Sequence, residues 1–84
     1  MKITLEIPEY SKDELKLNWT DSFVIKVESS AREAIVSANK EGLMSLANHL
    51  LNLAQDSVPA GAHIHFDAYN SLEDGSSELV VQKI

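Results

Sequence analysis

The chain has no cysteine, three glycines, two prolines, and no lysine or arginine between Lys40 and Lys83. Without cysteine there is no disulfide, no thiolate nucleophile and no cysteine-based zinc site, which suits a reducing cytoplasm. The glycines, at positions 42, 61 and 75, form neither a phosphate-cradling loop nor a Gly-x-Ser-x-Gly elbow. No apolar run approaches the length of a membrane span. Met1–Ile7 carries Glu6 inside its first apolar stretch and lacks the hydrophobic core of a signal peptide. The expectation is a soluble cytoplasmic protein.

Missing basic residues matter as much as missing cysteine. The net charge is −6, and Glu41, Asp56, Asp67, Glu73, Asp74 and Glu78 all fall within the stretch that has no lysine or arginine. A surface of one sign repels phosphate backbones and anionic membranes, so neither nucleic acid nor membrane is expected as a partner. It attracts a basic protein and speeds encounter with it, although acidity also serves plain solubility.

With 84 residues, the chain is expected to form a single domain, 1–84, with one small core. Ile3, Leu5 and Ile7 alternate with polar residues and end at Pro8, a strand pattern. Residues 9–14 are polar and read as a loop. Leu15, Leu17 and Trp19 form a weaker strand pattern. Phe23–Val27 is rich in β-branched and aromatic residues, and Glu33–Ala38 runs back antiparallel after the Ser29–Arg32 break. Asn39 is a good N-cap, with Glu41 in the first turn. Leu43, Leu46, Ala47, Leu50, Leu53 and Ala54 then recur at helical spacing, which predicts a core-facing stripe. Ser45, Asn48, His49, Asn52 and Asp56 fall largely on the other side. Ala62–Asp67 and Glu78–Ile84 read as strands separated by turn residues, with Asp74-Gly75 the strongest signal. The expected fold is α+β: an antiparallel sheet of four to five strands with one long amphipathic helix packed on one face, a two-layer sandwich. The sheet's second face has no cover of its own.

His63, His65 and Asp67 alternate with Ile64 and Phe66, so the first three share one face of a strand. Two imidazoles at i, i+2 can reach one metal ion, and Asp67 could serve as a third ligand or orient a histidine. The pattern resembles the opening of the metallo-β-lactamase-type motif, but that motif continues with a histidine where this chain has Ala68. The remaining histidine, His49, is predicted to face away. No metal or other cofactor is therefore expected. A histidine beside a carboxylate can also act as a general base, but no oxyanion-stabilising element accompanies it, and an enzyme is not expected. Leu72-Glu73-Asp74-Gly75-Ser76 lacks the alternating oxygens of a calcium loop and reads as a polar turn presenting two acids. Trp19 either plugs the sheet edge or anchors a partner.

The C-terminal half, about residues 35–84, resembles a family of small bacterial immunity proteins of polymorphic toxin systems, immunity protein 32-like. The resemblance is carried by Ala38-Asn39-Lys40-Glu41-Gly42-Leu43, by Leu50-Leu51-Asn52-Leu53-Ala54-Gln55, by His63-Ile64-His65-Phe66-Asp67 and by the Leu72–Ser76 turn. It implies a protein that protects a cell by binding a cognate toxin, with a basic nuclease domain as one form the toxin could take. Alongside the resemblance, the sequence points to His63, His65, Asp67, Glu73, Asp74 and Glu78 as partner-binding residues. Two alternatives stay open: a metal- or small-ligand-binding protein using the His-x-His-x-Asp strand, and a homodimer or larger homo-oligomer that buries the open sheet face.

Overall fold

The computed structural model describes residues 1–11 and 14–84. Along the chain run β1 (Ile25–Ser29), β2 (Ala34–Ala38), α1 (Lys40–Leu53), β3 (His63–Phe66) and β4 (Leu79–Gln82). The α+β class therefore holds. The single sheet does not: among the described residues the four strands form two separate antiparallel pairs, β1–β2 and β3–β4. The pairing is in register from Ile25 opposite Ala38 to Ser29 opposite Ala34, and from His63 opposite Gln82 to Phe66 opposite Leu79. What joins the pairs is the connection between β3 and β4, which is no tight hairpin. It runs along the free edge of β1, where Glu73 N–H donates to the Ile25 carbonyl (2.8 Å) and Ser77 N–H to the Val27 carbonyl (2.7 Å).

Neither Ile3–Ile7 nor Leu15–Trp19 enters a strand, which corrects that expectation. The loop expected over 9–14 includes Lys12 and Asp13, which lie outside the described residues. The alternation in these segments is nonetheless expressed. Leu5, Ile7, Leu15, Leu17 and Trp19 are half-buried while Thr4, Glu6, Glu14, Lys16, Asn18 and Thr20 face solvent. Their backbone needs partners other than a ladder, and α1 and Gln55, just past its C-cap, supply them. Asn48 Nδ2 donates to the Glu6 carbonyl (2.9 Å), Gln55 Nε2 to that of Pro8 (2.9 Å) and Asn52 Nδ2 to that of Lys16 (2.6 Å). Ser45 Oγ accepts from Thr20 N–H (2.8 Å).

The helix consequently packs with a polar face turned away from the centre of its leucine stripe, although Leu53 still reaches the core and Leu46 packs against it. Gly42, Ser45, Asn48, His49, Asn52 and Leu53 are buried, whereas Leu43 and Leu50 are exposed. Asn39 caps the helix as its sequence suggests, and does more. Its Oδ1 accepts from both Gly42 N–H (2.8 Å) and Val24 N–H (2.9 Å), and its Nδ2 donates to the Ser22 carbonyl (2.9 Å). One side chain thus fixes the helix start against the approach to β1. Gly42 allows the close contact that follows. A Cβ there would lie 2.5 Å from the Val24 carbonyl oxygen and 2.9 Å from Ile25 Cγ1. At the other end, Lys83 Nζ donates to the Gln55 (2.7 Å) and Val58 (2.8 Å) carbonyls, a cation placed just past the helix C-terminus.

The core comprises Ile25, Val27, Leu53, Val58, Ile64, Phe66 and Leu72. His49 is inside it, with no exposed surface, which corrects its predicted outward placement. Trp19 stacks on Phe23 at 4.5 Å between ring centroids and meets the His49 ring edge-on at 4.2 Å, which packs it against the core. Among the described residues, neither His49 ring nitrogen has a hydrogen-bond partner. Desolvation lowers its pKa from 6.5 to about 4, so the ring is neutral at pH 7.

Three outcomes follow from this packing. In Gly42→Ala, the gain of about 1 kcal/mol in helix propensity is outweighed by a clash with rigid backbone. Net destabilisation of about 1–2 kcal/mol is expected in urea unfolding. Asn52→Ala leaves the Lys16 carbonyl unpaired and should cost about 2 kcal/mol, lowering Tm by roughly 10 °C. His49 binds a proton more weakly when folded than when unfolded. Its contribution is therefore complete above pH 6.5 and declines as pH falls towards 4, by up to about 3 kcal/mol. His49→Leu, which also removes two unpaired nitrogens, should hold its stability at pH 7 and flatten the loss in that window. A loss as steep as in the parent chain would contradict the assignment.

Candidate partner-binding surface

The β3–β4 pair has two chemically distinct faces. Ile64 and Phe66, opposite Val81 and Leu79, point inward, with Ile64 and Phe66 buried. His63 and His65, opposite Gln82 and Val80, point outward and are exposed, as strand alternation requires. His65 Nε2 contacts Glu78 Oε1, which makes an exposed ion pair when the imidazole is protonated. His63 Nδ1 is 3.3 Å from the Gly61 carbonyl. Its side chain also borders an open concavity of about 430 Å³ lined by Tyr10, Glu14 and Leu15 among others.

Asp67 follows the strand and turns the chain. Its Oδ1 accepts from Tyr69 N–H (2.9 Å) and Asn70 N–H (3.0 Å), and its carbonyl accepts from Ser71 N–H (3.1 Å) and Leu72 N–H (2.9 Å). Asn70 returns the clamp, its Oδ1 accepting from Asp67 N–H (3.1 Å) and its Nδ2 donating to the His65 carbonyl (3.0 Å). This is the local side-chain-to-backbone bonding that favours Asp and Asn in turns. It leaves Tyr69 fully exposed at the turn tip. Tyr69 is the residue that sequence reasoning missed. The only available signal was a tyrosine between Asp67 and Asn70, and strand alternation does not report on a turn.

Leu72 is buried and anchors the next stretch. Glu73–Ser76 then forms a tight turn closed by Ser76 N–H to the Glu73 carbonyl (3.1 Å), with Gly75 at φ 82°, a positive value suited to glycine. Ser76 Oγ accepts from Val27 N–H (3.2 Å), and Ser29 Oγ donates to Ser77 Oγ (3.0 Å). Glu73 and Asp74 are therefore exposed on a turn stapled to β1 at both ends. The sequence-predicted residues occupy two neighbouring stations of one connection: the His65–Glu78 pair on the strands, and the Glu73–Asp74 turn beside β1. Asp67 shapes the path between them.

Among the described residues, no group of three or more His, Asp or Glu side chains comes together to hold a metal ion. No helix there is long and apolar enough to cross a membrane. Neither curated proteins nor solved structures include a match to the chain. Residues 33–84, more than half of the chain, match the family described as Immunity protein 32, and the protein belongs to that family.

Proposed function

We propose that the protein neutralises a cognate toxin by stoichiometric binding in the cytoplasm, without catalysis, and that the toxin domain is basic, as a nuclease cleft is. Family membership supports the immunity role. The observation that carries the mechanism is the acidic connection between β3 and β4. Glu73, Asp74 and Glu78 are exposed in a half of the chain whose one basic side chain, Lys83, spends its ammonium on two carbonyls of its own fold. A net acidic surface attracts a basic cleft over about a Debye length and orients the encounter.

In this reading Glu73, Asp74 and Glu78 steer the toxin, and His63 and His65 contribute polar contacts from the outward face of β3. Asp67 belongs to the site by holding its turn, which projects Tyr69 as an aromatic anchor of the kind that dominates interface energetics. A turn already fixed to β1 loses little freedom on binding, which favours affinity.

Capture from the native host with tagged protein, read by mass spectrometry, should yield a basic toxin domain at one-to-one stoichiometry. Glu73→Lys with Asp74→Lys should then slow association with that domain by about tenfold or more at low salt, and converge on the parent rate at high salt. The melting temperature should hold, since both side chains are exposed. Association that ignores both the charge reversal and the ionic strength would remove the electrostatic mechanism.

A further inference from the structure

The side chains that hold the N-terminal segment lie inside the family match, and the segment lies outside it. Ser45, Asn48, Asn52 and Gln55 fall within residues 33–84, whereas the carbonyls and the amide they bind belong to residues 6–20. The first part of that segment is the most lightly held. Residues 1–9 form no strand, and among the described residues two hydrogen bonds tie them to the fold. These are the bonds from Asn48 Nδ2 to the Glu6 carbonyl and from Gln55 Nε2 to the Pro8 carbonyl. Leu5, Ile7 and Pro8 are half-buried, yet none of them packs against the core, as Tyr10, Leu15, Leu17 and Trp19 do. Met1 and Ile3 are exposed. Residues 1–9 are thus a strap laid along α1.

Neither anchor depends on the strap. Gln55 Nε2 also donates to the Asn52 carbonyl (3.0 Å) and to Asn52 Oδ1 (2.8 Å), so it keeps partners of its own when the strap leaves. Asn48 is only half satisfied while the strap is in place. The residue is 7% exposed, and among the described residues its Oδ1 has no hydrogen-bond partner. A buried amide oxygen without a donor is destabilising and calls for an explanation. An extended main chain offers an N–H as well as a C=O at every residue except proline. A segment in another register or direction can therefore pair with both ends of the Asn48 amide, which the strap does not. Both anchors read main-chain carbonyls, so the seat does not require the side chains of the strap.

We propose that the strap covers a main-chain recognition seat on α1, and that an extended segment of the toxin displaces it and pairs with both ends of the Asn48 amide. The inference rests on the immunity reading and gives the toxin a second point of contact, remote in sequence from the acidic connection. Its chemistry is that of strand addition, in which main-chain hydrogen bonds bind an extended segment, with side-chain amides of a helix in place of a sheet edge.

The test uses the full chain and the toxin that it captures. In the isotope-labelled free chain, nuclear magnetic relaxation of Leu5–Ile7 should be that of a seated segment. In the complex it should become that of a free terminus, while α1 stays rigid. Leu5→Asp with Ile7→Asp loosens the strap away from the core and should tighten toxin binding about fivefold or more, because a competing state is removed. Circular dichroism should remain that of the parent. Asn48→Ala should weaken binding about tenfold in the parent and in the loosened chain, equally at low and high salt. A strap that stays ordered in the complex would overturn the exchange, and so would a loosened strap that leaves the affinity unchanged. Asn48→Ala binding as tightly as the parent would remove the seat. If the captured toxin still responds to Glu73→Lys with Asp74→Lys, any of these results strikes the exchange alone. If neither the parent nor the loosened chain captures a toxin, the immunity reading fails and the exchange falls with it.

Discussion

The structure depends on a trade made by the polar side chains of α1 and of Gln55 just beyond it. Residues 1–20 have the apolar alternation of strands but no strand beside them, so their carbonyls and amides need other partners. Asn48, Asn52 and Gln55 donate to three of those carbonyls, and Ser45 accepts from one amide. Each bond is worth only about 1 kcal/mol net. Their combined effect is to decide which side of the helix faces in. Once Asn52 and Ser45 are directed at the N-terminal segment, Leu43 and Leu50 turn towards solvent, while Leu53 and Leu46, nearer the polar face, still reach the core.

The same economy runs through the connection between β3 and β4. A hairpin would have joined these strands in a few residues. The chain instead detours along β1, lending it the backbone partners that its free edge lacks and tying the two strand pairs into one body. An unprotected strand edge is a template for unwanted pairing, and here Glu73–Ser77 occupies it. The detour therefore does structural duty, and its acidic tip is held by the fold before any partner arrives.

Features set by local chemistry could be read from the sequence. Asn39 as a cap, the β1–β2 hairpin break, the alternation of His63 and His65 with Ile64 and Phe66, and the Asp74-Gly75 turn all follow from side chains acting on their own backbone. The orientation of α1 could not be read. Periodicity reports which residues share a face, and assigning that face to the core assumes that apolar contact is the strongest claim on it. Here the claim came from backbone groups more than 35 residues away for Asn48 and Asn52, whose need for partners leaves no local mark. His49 was misplaced for the same reason, since its burial depends on Trp19 and Phe66 arriving from two distant segments. For the surface residues, alternation located His63 and His65 correctly. It could not indicate that Asp67 turns its carboxylate on its own loop, nor that this exposes Tyr69.

The family match gives these two surfaces a common frame. Residues 33–84 span β2, α1, β3 and β4, and so contain Asn48 and Gln55 together with the acidic connection. β1 and the N-terminal segment lie outside that range, and the N-terminal segment supplies the backbone that draws the polar face of α1 inward. The part of the chain that lies outside the match thus sets the direction in which the matched helix points. Leu43 and Leu50 of α1 are exposed, as is the acidic turn, the first pair suited to an apolar contact and the second to a charged encounter. Apolar burial is insensitive to salt, whereas exposed charge is screened within about 10 Å at ordinary ionic strength.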